Sequence, residues 1–221
     1  MKESEHDMKH HNESLMNKEF HLTEVTLKEN FKARIYDNCL PSDDFKLLKE
    51  IILSPDFSWN YNSNVVSEKY TGTMPAVVED YVDDDMFQFT HLFYVSSPGT
   101  SGPYAPNTLA DSFVPIFRVL NAREWLRIKA NLGTKDPEHM VGGWHCDLHW
   151  PKEGGIRIPY DDTLTAVLYM NTNNGYTLLE TGHKVESVEN RLVIFPNNVL
   201  HTGISQTDTN TRVLINFNFW M

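Results

Sequence analysis

From Trp125 to Leu132 the chain alternates strictly. Leu126, Ile128, Ala130 and Leu132 fall on one face of an extended segment, and Trp125, Arg127, Lys129 and Asn131 on the other. Thr165 to Asn171, Arg191 to Phe195 and Arg212 to Phe219 read as further strands, separated by turn residues at Gly154-Gly155, Asn173-Asn174-Gly175 and Pro196-Asn197-Asn198. Several short strands at this spacing predict a sandwich or barrel.

The first half has a different texture. Residues 23–37 predict a strand region. Phe45, Leu48, Ile51 and Ile52 then recur at helical spacing behind Ser42, an N-cap candidate, with Asp43 and Asp44 suited to the positive helix end. Phe57 to Val66 predicts an extended hairpin arm and Met86 to Val95 another strand, followed by loop punctuation at Ser96-Ser97-Pro98-Gly99 and Ser101-Gly102-Pro103. Leu109, Phe113, Ile116, Phe117 and Leu120 predict a second amphipathic helix, which Pro115 must kink or open. Residues 1–20 are polar and charged and predict a flexible tail; its His6, His10 and His11 read as solvated rather than metal-binding. The expectation is a tail at 1–20 and one mainly β (α+β) domain at 21–221. Helices and outer strands come first, and a jelly-roll core occupies about 123–221.

Composition narrows the class. With 221 residues, 40% of them apolar and 12% aromatic, the chain can bury a substantial core. The formal net charge of −11 argues against general nucleic-acid binding, which needs a basic face. The only two cysteines, Cys39 and Cys146, are far apart, so a disulfide framework is not expected and a reducing cytoplasm is. No apolar signal core and no membrane-spanning run occurs, and no membrane partner is expected.

The candidate chemistry lies in three C-terminal pieces: His145-Cys146-Asp147, His201 and Arg212. On an extended segment residues i and i+2 share a face, so His145 and Asp147 can reach one ion while Cys146 points away. A third ligand could come from His149, His183 or His201. His183 follows Gly182 in a turn, whereas His201 lies between two strong strands that a hairpin-like return would bring to the site, so His201 is preferred. Two imidazoles and one carboxylate form the facial set that holds Fe(II) with open positions. His149 continues the face of the pair and is kept as a neighbour of the site. Arg212 opens a strand whose Arg212, Leu214, Asn216 and Asn218 share one face, more polar than the Val213, Ile215, Phe217 and Phe219 face. Its planar guanidinium could hold the far carboxylate of a dicarboxylic acid.

These residues resemble the Fe(II)- and 2-oxoglutarate-dependent dioxygenases, with the closest likeness to the prolyl-4-hydroxylase-like branch and to oxygenases of that kind encoded by marine phages. The likeness rests on Leu164–Asn171, Asn174–Leu179 and Arg191–Pro196 through His201 and Arg212, and covers roughly the last hundred residues. It implies a double-stranded β-helix. It also implies iron ligation by His145, Asp147 and His201, and 2-oxoglutarate binding by Arg212 with the Tyr169 hydroxyl, with Asn131 or Lys129 near cofactor or substrate. Leu214 departs from the small hydroxyl residue that many relatives carry there, and the loop from His201 to Arg212 is slightly longer than in prolyl hydroxylases. The implied reaction consumes O2 and 2-oxoglutarate, releases succinate and CO2, and oxidises a C–H bond. Because Asp147 is present, hydroxylation is expected over halogenation. The expected partner is a peptide, a prolyl one included, or a small metabolite, and the expected location is the cytoplasm, that of the host for a phage protein. A non-catalytic jelly-roll that keeps a metal is the alternative. Oxidation of a nucleobase, which would need a basic groove beside His145, is disfavoured by charge. The acidic run Glu79 to Asp85 could attract a basic peptide but more often such a run is a solvated loop. Trp144, Trp150 and Tyr160 could line the mouth or belong to the core.

Overall fold

The computed structural model describes residues 21–28, 31–65, 86–96, 112–151, 157–159 and 162–221. The tail at 1–20, the acidic run at 79–85, the loops at 97–103, Leu109, Gly154-Gly155, Tyr160 and the side chains of His149 and Trp150 lie outside the described residues.

The chain runs β1 (His21–Lys28), β2 (Phe31–Asp37), α1 (Ser42–Ile52), β3 (Asn60–Asn62), β4 (Gln88–Val95), α2 (Val114–Leu120), β5 (Glu124–Thr134), β6 (His149–Pro151) and β7 (Arg157–Pro159). It continues through β8 (Thr163–Tyr169), β9 (Tyr176–Leu179), β10 (Lys184–Glu186), β11 (Leu192–Pro196), β12 (His201–Ile204) and β13 (Thr211–Trp220). An eight-stranded sheet has the order β1-β2-β11-β8-β13-β5-β4-β3, a three-stranded sheet the order β10-β9-β12, and β6 pairs with β7. Every paired strand is antiparallel. This is the mainly β jelly-roll arrangement, a double-stranded β-helix with helical support.

The alternation of β13 explains the layering. Val213, Ile215, Phe217 and Phe219 are fully buried and join one core with Phe45, Leu48 and Ile52 of α1 and Ile116 and Leu120 of α2. The same core takes Ile128 and Ala130 of β5 and Ala166 and Leu168 of β8. Each such large apolar side chain contributes about 1.5–3 kcal/mol relative to exposure. The helices therefore cover one face of the large sheet. The opposite face looks toward the small sheet, and there Val167, Tyr169, Leu179, Val193, Phe195 and Leu214 form a second core. Arg212, Asn216 and Asn218 share the face of Leu214, so a polar strip enters the space between the sheets.

Three sequence expectations change in detail. The strand region at 23–37 is a hairpin, with Lys28 paired to Phe31. Ser42 is the first helical residue, and Pro41 takes the cap position without a side-chain cap bond. Its carbonyl still accepts from the Phe45 amide at 2.9 Å, and the acids at 43 and 44 do stand in the first turn. The segment carrying His201 crosses from β11 in the large sheet to β12 in the small one. It pairs with β9 there, so it makes no hairpin return to β11. Pro115 marks the first turn of α2. Cys39 and Cys146 are buried and not joined in a disulfide. Among the described residues no helix is long and apolar enough to cross a membrane.

Candidate metal centre and its cavity

His201 opens β12, and its backbone pairs with His145 through two reciprocal N–H···O bonds of 3.0 Å. That bridge sets the two imidazoles side by side, with ring centroids 4.5 Å apart. His145 Nδ1 lies 2.9 Å from the Gly143 carbonyl, and His201 Nδ1 lies 3.1 Å from that of Val199. A carbonyl can only accept, so each Nδ1 carries a hydrogen, and each Nε2 is the ring atom that could meet a metal. Asp147 completes the group: one ligand atom from each of the three residues lies within 4.8 Å of the others. Cys146, between the ligands, turns away into a cluster with Trp144, Leu178, Leu200 and Ile204. Trp144 is thus a core residue. His183 is exposed, near Thr181, and takes no part in the triad.

Asp147 is the most heavily supported member. Its Oδ1 accepts from Arg127 Nη2 at 2.7 Å, and its Oδ2 from Asn218 at 3.0 Å and from Thr165 at 3.3 Å, with Asn216 at 3.4 Å from both oxygens. Burial works against this carboxylate, yet Arg127, the two imidazoles and Asn218 together hold its pKa far below the usual range. Burial, with the neighbouring His201, pulls His145 down to about 3, which keeps it neutral and free to donate to a cation. Asn197 is fully buried and clamps the Leu148 backbone through both amide atoms, which fixes the turn beside Asp147.

The other end of the site is built around Arg212. Its Nε donates to Ser187 Oγ at 2.8 Å and its Nη2 to Thr177 Oγ1 at 3.2 Å, while its guanidinium carbon stands 5.6 Å from the centre of the Tyr169 ring. Among the described residues it forms no ion pair, unlike Arg127 and Arg191, which meet Asp147 and Asp37. Burial accordingly lowers its pKa. Gly175 allows this packing, since a Cβ there would lie 2.9 Å from Arg212 Cδ and 2.8 Å from the Ile204 carbonyl oxygen.

Tyr169 sits beneath the cation and outside the cavity wall, with its hydroxyl donating to Thr177 Oγ1 at 2.8 Å. Thr177 then accepts from both Tyr169 and Arg212, so its own proton is released toward another acceptor, and Thr177 does line the cavity. Asn131 lines it as well, with a buried Oδ1 that has no partner among the described residues. Lys129 is a further lining residue, whose ammonium is pulled down to about 8 by burial and then by Arg127, with Asp147 opposing.

One cavity of about 300 Å3 contains His145, Asp147 and His201 together with Arg212 and Thr177. Two imidazoles and a carboxylate facing open space fit Fe(II). The buried cation without a counter-charge fits a carboxylate. The fold brings His145, Asp147, His201, Arg212 and Asn131 to this one cavity. Arg127, Thr177, Ser187 and Asn197 are partners that the linear reading missed. The only sequence signal for Arg127 was its place with Lys129 and Asn131 on the polar face of β5.

No protein-family model matches this chain, and no curated protein matches its sequence. Among solved structures it is similar to an oxidoreductase of the 2OG-Fe(II) oxygenase family from Burkholderia pseudomallei, with a TM-score of 0.53 and 11% identity over 85% of both chains. A prolyl-4-hydroxylase from Pseudomonas putida has a TM-score of 0.52 and 16% identity, covering 87% of this chain and 94% of its own. At such identity the likeness speaks for architecture alone. The chain has the double-stranded β-helix fold of these 2-oxoglutarate–Fe(II) oxygenase structures, with a buried His-Asp-His ligand set.

Proposed function

We propose that this protein is an Fe(II)- and 2-oxoglutarate-dependent oxygenase that hydroxylates a C–H bond of a peptidyl residue or a small metabolite. The observation that carries the reading is the shared cavity, which holds the metal ligands and also a part-buried guanidinium that forms no ion pair among the described residues. His145, Asp147 and His201 would hold the iron, and Arg212 with the Thr177 hydroxyl would hold the distal carboxylate of 2-oxoglutarate. When bound, the pair supplies the oxidising power, turning O2 and 2-oxoglutarate into succinate, CO2 and one oxygen atom for the substrate.

The chain's own residues do the positioning. Gly143 and Val199 fix the tautomers of the two ligands through their carbonyls. Arg127, Asn218 and Thr165 orient the carboxylate. Tyr169 and Ser187 hold Thr177 and Arg212 in place, so that both point their remaining donors at one acceptor. The retained Asp147 favours hydroxylation, because no ligand position is left vacant for a halide.

The test is a mass-spectrometric search for products heavier by one oxygen atom among peptides, prolyl peptides first, and small metabolites. Wild type should yield a product that is missing with Asp147→Ala. Turnover by Asp147→Ala at the wild-type rate would end the proposal.

A further inference from the structure

One cation of the cavity has no task in the reaction above. Lys129 lies on the inward face of β5, paired across the sheet with Asn216 on β13 and Leu92 on β4. It lines the cavity with the triad and, among the described residues, forms no ion pair. Arg127 is matched by Asp147. A divalent iron and a doubly charged 2-oxoglutarate cancel each other. Lys129 and Arg212 then remain inside, with only Asp136 among the described residues at the cavity wall to offset them. A buried excess of positive charge is costly, and an anion beside Lys129 would relieve it.

Two acceptors near Lys129 add a second requirement. Oδ1 of Asn216 and Oδ1 of Asn131 are buried without a partner among the described residues, while the Asn216 amide nitrogen is turned to Asp147. Asn131 stands two residues beyond Lys129 on the same face of β5, and Asn216 is the cross-strand partner of Lys129. 2-Oxoglutarate carries no hydrogen-bond donor at neutral pH, so it cannot satisfy either oxygen. A ligand that brings both a negative charge and an N–H or O–H group would answer the excess charge and the two oxygens together.

We propose that Lys129, Asn131 and Asn216 form the substrate subsite, and that the substrate is a small acid of the free amino-acid or hydroxy-acid class. Its carboxylate meets Lys129, and its amino or hydroxyl group donates to the two amide oxygens. This rests on the oxygenase reading and narrows it from peptides to free acids.

The experiment uses zinc-loaded protein saturated with 2-oxoglutarate, which cannot turn over, and titrates it calorimetrically with the free L-amino acids, lactate and malate. Each is compared with its carboxamide. At least one acid should bind, and its amide should bind about thirtyfold more weakly or worse, as expected when one partner of a desolvated charge pair is removed. Lys129→Gln should show the same loss for the acid, and Lys129→Arg should recover most of it, while 2-oxoglutarate affinity stays within about threefold. The wild-type acid–amide contrast needs no variant to fold.

Absence of binding by every acid, equal binding of acid and amide, or unchanged acid binding by Lys129→Gln overturns the proposal. So does a matching loss of 2-oxoglutarate in Lys129→Gln, which would make Lys129 a cofactor residue. If wild type binds no 2-oxoglutarate, the oxygenase reading fails separately, and the acid–amide contrast is then measured without it.

Discussion

Arg127→Leu tests how the metal carboxylate is held. Arg127 Nη2 is 2.7 Å from Asp147 Oδ1, and the two side chains are 17% and 4% exposed. Removing one partner of such a buried pair strands the other charge and costs about 3–5 kcal/mol. Asn218, Thr165 and Asn216 still donate to Asp147, so the lower end, about 3 kcal/mol, is the expected loss in metal-free protein. For a chain of this size that lowers the Tm by about 6–12 °C. A bound divalent ion restores the counter-charge, so the loss should shrink by about half or more in zinc-loaded protein.

The sign with pH is fixed by the same geometry. A carboxylate whose folded pKa is depressed adds stability that is fully present above its unfolded pKa and is lost as pH falls toward the folded one. Without Arg127 the folded pKa rises, so the contribution disappears at a higher pH than in wild type. Urea unfolding of both proteins, with and without zinc at pH 7.5 and metal-free from pH 7.5 down to about 2, measures all of this. An equal loss with and without metal, or one below about 1 kcal/mol, would show that Arg127 merely packs and that the charge argument is wrong.

Other outcomes follow from single contacts. Arg212→Gln should weaken 2-oxoglutarate binding about 10- to 150-fold, with Arg212→Lys intermediate, since one charged hydrogen-bonding group contributes about 1.5–3 kcal/mol; calorimetry checks it. Gly175→Ala, whose Cβ would meet backbone and the Arg212 stem below 3.0 Å, should cost about 1–3 kcal/mol in urea unfolding and weaken 2-oxoglutarate as Arg212 shifts. His145 stays neutral down to about pH 3 in the fold but protonates near 6.5 when unfolded. Metal-free protein should therefore lose stability at up to about 1.4 kcal/mol per pH unit as pH falls through that window, and His145→Gln should show a shallower slope.

The strands that frame the site were legible because each has one face in a core. The alternation of β5 and β13 placed Arg127, Lys129 and Asn131, and Arg212, Asn216 and Asn218, on the inward faces where the structure has them. The triad was readable from the same rule, since His145 and Asp147 are two apart on an extended segment. What escaped was set by pairing at a distance. The His145–His201 bridge joins an isolated bridge residue to β12, 56 residues away, and local pattern carries no term for it. The Arg127–Asp147 pair likewise links β5 to a bend that only the closed fold brings beside it. In the β1–β2 hairpin, no Gly or Pro stands between Lys28 and Phe31 to announce the reversal. Tyr169 was expected to help hold the carboxylate; its hydroxyl donates to Thr177, a cavity-lining residue that the linear pattern did not single out.

The central claim is that the His-Asp-His end and the Arg212 end of one cavity act on a single bound 2-oxoglutarate. Succinate formation by the purified full chain, measured with and without Fe(II) and O2, tests it most directly. The account predicts succinate only when Fe(II), O2 and 2-oxoglutarate are all present, abolished in His145→Ala and rescued by raised 2-oxoglutarate in Arg212→Gln. No succinate from wild type, together with no anaerobic binding of Fe(II) or 2-oxoglutarate, would contradict it.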